Sequence, residues 1–193
     1  MSLSYHPLPS KYISLLTSQK FFRVAVVGKD PFPTSPSGIP FCKPTWGEQL
    51  RDNCSGKHVL KSLGVEVEVA ADNPLYPTPE ELFLHLASQG IAFLNASYHF
   101  LGKGRAFPKY LYCCLLEANA TNFPIVAKSE RTLLLGLAKV VAPFIEEKYP
   151  HLINHITTVI HPDTHNRAMR PTEWHAWWLP NALKDELQLQ INL

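Results

Sequence analysis

The chain reads as a single α/β domain, a three-layer α/β/α sandwich around a mostly parallel four-stranded central sheet. Three observations predict it. Short apolar runs of strand length recur at residues 22–27, 91–94, 123–127 and 156–160, without the polar alternation of half-exposed strands, as burial on both faces requires. Stretches of helical period lie between these runs, so each strand is followed by a right-handed crossover that covers one face of the sheet. A chain of 193 residues that is 46% hydrophobic and 18% charged supplies one core rather than two.

Taken in order, Tyr12, Leu15 and Leu16 share one side of residues 11–19 and predict an amphipathic helix ahead of the first strand. Thr45-Trp46-Gly47-Glu48 is a capping-box pattern, in which hydroxyl and carboxylate each satisfy an orphan backbone N–H. It predicts a helix through Leu50 toward Leu63, broken near Ser55-Gly56. Val65-Glu66-Val67-Glu68-Val69 alternates apolar and acidic residues, the pattern of a short half-exposed strand. Thr78-Pro79-Glu80-Glu81 supplies an N-cap, a proline at the first helical position and a glutamate at the third. The helix it opens packs Leu82, Phe83, Leu86 and Ala87, and Gly90 closes it. Between the last two apolar runs, Leu133, Leu134, Leu137, Val140 and Val141 predict a helix with one apolar face. Trp174, Trp177 and Trp178, at i, i+3 and i+4, pack a helix rather than stack bases, and residues 180–193 form a ragged terminal helix.

A net charge of +2 makes any nucleic-acid surface a local patch rather than a global bias. Lys43, Lys103, Arg105 and Lys109 are candidates for one. Cys42, Cys54, Cys113 and Cys114 lack paired CxxC spacing and read as free thiols. No apolar run approaches the ~20 residues of a membrane helix and no signal peptide is visible, so a soluble, cytoplasmic monomer with no membrane partner is expected, associated with the nucleoid if bacterial. Eight of the seventeen prolines cluster at residues 31–44 and 74–79, where they favour ordered loops of the kind that build sites.

The apolar runs end on polar residues. Gly28-Lys29-Asp30-Pro31-Phe32 follows the first, Asn95 ends the second and His161 follows the last. The carboxyl ends of parallel strands share one edge, which is where open α/β sheets bind ligands, and the intervals from Asp30 to Asn95 to His161 each accommodate a crossover. The three side chains are thus expected around one pocket.

With these motifs in place the chain resembles the uracil-DNA glycosylase superfamily, whose main family shows G-Q-D-P-Y-H after a strand, then G-x-x-F, a strand ending in L-L-N, and H-P-S-P. Here they stand as Gly28-Lys29-Asp30-Pro31-Phe32-Pro33, Gly38-Ile39-Pro40-Phe41, Phe93-Leu94-Asn95 and His161-Pro162-Asp163-Thr164, in the same order over roughly residues 20 to 180. The resemblance implies a monofunctional DNA glycosylase of base-excision repair. It would act without metal or other cofactor on DNA containing uracil or another damaged base. Asp30 would guide the attacking water and stabilise the developing sugar cation, and His161 would donate to the base oxygen as the base leaves. Asn95 would read the flipped base with one donor and one acceptor, and Phe41 would stack on it. Phe32 would exclude a 5-methyl group, and Lys29 would contact either the base pocket or a phosphate.

The chain departs from that pattern at Lys29, Phe32, Pro33 and Asp163. A carboxylate at Asp163, where the family has a phosphate-contacting serine, would repel DNA. Either the grip moves to neighbours such as Arg167 and Arg170, or the ligand differs. In the same DNA-contacting stretch, His165 stands near the place of the family's wedging leucine, with Asn166 or Met169 as substitutes. His161, Asp163 and His165 also have the residue types of a metal site, but Pro162 argues against the helix that i, i+4 ligand pairing needs. A glycosylase for another modified base, and a non-catalytic DNA- or protein-binding member of the same fold, stand as alternatives.

Overall fold

In the computed structural model, residues 5–32, 36–100, 122–136 and 150–193 are described. Helix α1 (Ser10–Ser18) leads into β1 (Phe22–Gly28). Then come α2 (Trp46–Gln49), α3 (Ser55–Ser62), α4 (Val67–Asp72), α5 (Pro79–Ser88), β2 (Ile91–Asn95), α6 (Asn122–Lys128) and β3 (Ser129–Leu135). A 3₁₀ turn (Pro150–His155) precedes β4 (Ile156–Val159), and α7 (Thr164–Met169), α8 (Pro171–Trp178) and α9 (Ala182–Glu186) close the chain. The four strands form one sheet in the order β2-β1-β3-β4, and every pairing is parallel. The fold is α/β, as the run of buried strands predicts. Crossovers from β1 to β2 and from β2 back past β1 to β3 run in opposite directions, and right-handedness then puts their helices on opposite faces.

Strand β1 is paired on both sides and buried at every position but Arg23. Tyr12, on α1, closes the outer edge of β2: its fully buried hydroxyl donates to Phe93 O at 3.1 Å and accepts from Phe93 N at 2.8 Å. Burial pushes the Tyr12 phenol well above its ordinary value, so the hydroxyl stays protonated and keeps both bonds. Phe93 packs on Phe83 of α5 with ring centroids 4.7 Å apart, joining the helical layer to the sheet. Trp174 and Trp178 are buried on α8, as their spacing predicts.

Four predicted elements are corrected. Residues 123–127 are helical, within α6, and the third strand begins at Ser129. Leu133 and Leu134 therefore lie in β3, not on a helix. A five-residue apolar run suits either state, and the leucine run is held extended by pairing with β1 and β4 at once. The alternating stretch at residues 65–69 enters α4 instead of a strand, burying Val67 and Ala70 at helical spacing while Val69 stays exposed. The capping box at Thr45 forms one half of its expected pair, Thr45 Oγ1 accepting from Glu48 N at 3.3 Å, but α2 ends at Gln49. The expected break falls just before Ser55-Gly56, at residues 50–54, and α3 opens at Ser55. Pro33, Lys103, Arg105, Lys109, Cys113, Cys114, Leu137, Val140 and Val141 lie outside the described residues.

Replacing Tyr12 by Phe leaves the Phe93 N–H and C=O buried without their partner. Urea denaturation is expected to show a loss of about 1–3 kcal/mol with an unchanged slope, the desolvation cost of an unpaired buried group.

Candidate active site

The parallel register sets where the polar residues fall. Gly28 stands opposite Asn95 at the ends of β1 and β2. The pairing continues into the loops, with Ala96 N donating to Gly28 O at 2.8 Å and Ser97 N to Lys29 O at 2.9 Å. On the other side Gly136 N, just past β3, donates to Val159 O of β4 at 2.8 Å. Because β1 is flanked by β2 and β3, the crossover from β1 to β2 and the one from β2 to β3 run in opposite directions, and a crevice opens at the carboxyl end of β1. A cavity of about 600 Å³ occupies that place, and Asp30, Asn95 and His161 all line it. The sequence expectation that three strand ends meet at one pocket matches this placement.

Phe41 supplies an aromatic wall. It is buried and takes φ = +67°, a left-handed conformation uncommon for a residue with a side chain. Several groups hold it there. Gln49, fully buried on α2, donates to Phe41 O at 3.2 Å and accepts from Lys43 N at 2.7 Å, clamping the loop on both sides. Ser37 Oγ donates to Cys42 O at 3.1 Å. Gly56, on the first turn of α3, lets that helix approach the loop: a Cβ there would lie 1.8 Å from Phe41 O. Gly28 does the same from the sheet, where a Cβ would lie 2.8 Å from Asn95 Oδ1 and 2.9 Å from Phe41 Cζ. The amide of Asn95 and the ring of Phe41 therefore converge over a position that only glycine fills.

The mouth of the cavity carries charge of both signs. Lys29, Lys43 and Arg51 line it together with Asp30, Glu48 and Asp163. Lys43 Nζ sits 3.8 Å from the centroid of the Phe32 ring, a cation–π contact, and partial burial lowers its pKa from the ordinary lysine value. Cys42 is pushed up to about 12 by burial and Cys54 is also raised, so neither thiol is poised as a nucleophile.

His161 lies two residues past β4. The loop is tied by Trp178 Nε1, which donates to Ile160 O at 3.0 Å, and by Asn166 Nδ2, which donates to His161 O at 3.1 Å. Asp163 is the N-cap of α7, its Oδ1 accepting from Asn166 N at 2.7 Å, while Oδ2 stands 3.3 Å from His161 Nδ1. That separation is charge-pairing distance without the alignment of a full hydrogen bond. Nδ1 is buried and has no hydrogen-bond partner among the described residues. Burial alone would raise the Asp163 carboxyl, but His161, the Asn166 amide and His165 together hold it below the ordinary carboxylate value.

Of the base-contacting candidates, Lys29, Phe32, Phe41 and Asn95 all line the cavity. Of the DNA-contacting candidates, Asp163 lines it, His165 and Arg167 are exposed on α7, and the Asn166 amide is engaged within its own loop. Arg167 holds its guanidinium 5.6 Å from the Trp174 ring centroid. Among the described residues no group of three His, Cys, Asp or Glu side chains is arranged to hold a metal ion. Arg51, Glu48 and the supports Gln49 and Gly56 escaped sequence reasoning. The capping box announced the helix that carries Gln49 but not the direction of its buried amide.

A carboxylate and an imidazole face a cavity of nucleotide size, which suits proton transfer and charge stabilisation. The neighbouring side-chain amide and aromatic face suit a flat, hydrogen-bonding ligand. Gly56→Ala forces a methyl group onto the Phe41 carbonyl. Chemical denaturation is expected to show a loss of at least about 1–3 kcal/mol, the usual range for overpacking, where a helix-surface glycine would gain from alanine. No family's sequence profile matches this chain, and no curated protein matches it.

Proposed function

We propose that this protein is a monofunctional DNA glycosylase that hydrolyses the N-glycosidic bond of an extruded damaged base, uracil above all. One observation carries the reading: Asp30, Asn95, His161 and Phe41 line one cavity at the carboxyl edge of a parallel sheet. Those four residue types match the needs of the reaction. A base lifted out of the stack presents a flat face to Phe41 and a hydrogen-bonding edge to Asn95, whose amide offers one donor and one acceptor, the pair that the edge of uracil calls for.

Bond breakage puts positive charge on the sugar and negative charge on the base. The Asp30 carboxylate offsets the first and guides a water to the anomeric carbon, and His161 offsets the second. The cavity volume, about 600 Å³, admits a base with its sugar. Lys29, Lys43 and Arg51 are the cationic side chains of the lining that can meet a phosphodiester, beside the carboxylates of Asp30, Glu48 and Asp163. Phe32, its ring covered by Lys43, narrows the cavity beside Asp30.

The test is base release from single- and double-stranded oligonucleotides carrying uracil, hypoxanthine, xanthine or a modified pyrimidine, followed by alkaline cleavage at the abasic site. Release from uracil-containing strands is expected, with Asp30→Asn and His161→Ala each lowering kcat by about 10²–10³-fold. Release confined to another lesion would change the substrate and keep the reaction. Binding of DNA with no base released from any strand, unchanged in both variants, would replace the enzyme by a binding module.

A further inference from the structure

We infer that Asp163 is a positioning residue that keeps a proton on His161 Nδ1, so that His161 donates to a ligand from Nε2 only as the doubly protonated, cationic ring. The inference deepens the glycosylase reading and rests on it for the identity of the ligand.

An ionised carboxylate only accepts hydrogen bonds, and a nitrogen lone pair turned toward it would be repelled. Asp163 Oδ2 stands 3.3 Å from Nδ1, within charge-pairing distance, and Nδ1 is buried with no hydrogen-bond partner among the described residues. The favourable arrangement therefore has the proton on Nδ1. The carboxylate is not free to turn away, because its other oxygen caps α7 through Asn166 N at 2.7 Å. The backbone that carries the ring is also held, by Asn166 Nδ2 on His161 O and by Trp178 Nε1 on Ile160 O. His165 is the other titratable group that acts on this carboxylate.

The consequence follows from the two ring nitrogens. A neutral imidazole protonated on Nδ1 offers Nε2 as an acceptor, which cannot stabilise an oxyanion. With both nitrogens protonated, Nε2–H becomes a charged donor, about twice as strong as a neutral one. In the proposed reaction the C1′–N bond breaks and its electron pair passes to the base. The Nε2 proton moves to the base oxygen, the water oxygen bonds to C1′, and the proton of that water goes to Asp30. Free base and abasic sugar result, with no other reactant. The same geometry gives the acid a role within its own loop, since one oxygen caps α7 and the other faces the imidazole.

Asp163→Asn separates the two roles of this side chain. Asparagine caps helices as well as aspartate does, so its oxygen keeps the bond to Asn166 N while its NH₂ replaces the acceptor beside Nδ1. Asp163→Ser keeps a cap and removes the partner altogether. Side-chain ¹⁵N NMR of histidine-labelled protein, assigned with His161→Gln, is expected to show Nδ1 protonated in the wild type and unprotonated in Asp163→Asn. Base-release kinetics should show kcat falling about 10²-fold in both variants, with KM changed less than about twofold. A wild-type Nδ1 signal that is unprotonated, or one that stays protonated in both variants, would overturn the inference, as would an unchanged kcat in an active enzyme. If the Nδ1 signal responds as expected but wild type releases no base, the positioning role stands and the glycosylase reading falls.

Discussion

The close approach of strand β1 to its neighbours at Gly28 is the constraint on which the site depends. Parallel pairing sets Gly28 opposite Asn95, and the missing Cβ leaves room for both the Asn95 amide and the Phe41 ring. Every other functional position is measured from that point. Asp30 follows two residues later in the turn, and the hydrogen bonds from Ala96 and Ser97 to Gly28 and Lys29 keep the ends of β1 and β2 from separating. A side chain at residue 28 would move the amide, the ring, or both, and so alter the part of the cavity that they line.

Loops built for position, not flexibility, complete the cavity. Phe41 is held left-handed at a cost of about 1–3 kcal/mol for such a backbone, and the buried Gln49 clamp and the packing of Gly56 against its carbonyl hold it there. Across the cavity, one carboxylate starts α7 and faces the His161 ring. In both loops a short helix acts as an anchor: α2 aims Gln49 inward, and α7 fixes Asp163 through its own first turn. Strain and burial gather where ligand contact is proposed, as pre-organised sites require.

Much of this was legible in the residues. The first, second and fourth strands, and the polar residues that follow them, could be read because continuous apolar runs bounded by turn residues leave few alternatives. The third strand was misread because Phe123-Pro124-Ile125-Val126-Ala127 and the leucine run after it suit either state alone, and the choice is made by two neighbouring strands that a linear reading does not contain. The short alternation at Val65 failed for a similar reason: five residues carry a period-2 pattern weakly, and burial of Val67 with Ala70 outweighed it. Asp163 was read as a liability toward DNA because residue type shows charge but not direction. In the structure one of its oxygens caps α7 and the other stands 3.3 Å from the His161 ring, while the side chain still lines the cavity.

The central claim is that this cavity receives a base lifted out of a DNA strand. A crystal structure with an oligonucleotide carrying an uncleavable uracil nucleotide analogue tests it most directly. The base is expected inside the cavity, stacked on Phe41, with its edge within hydrogen-bond distance of the Asn95 amide and its sugar facing Asp30. A nucleotide bound elsewhere on the protein with the cavity unfilled, or a base seated there without contact to Phe41 or Asn95, would contradict it.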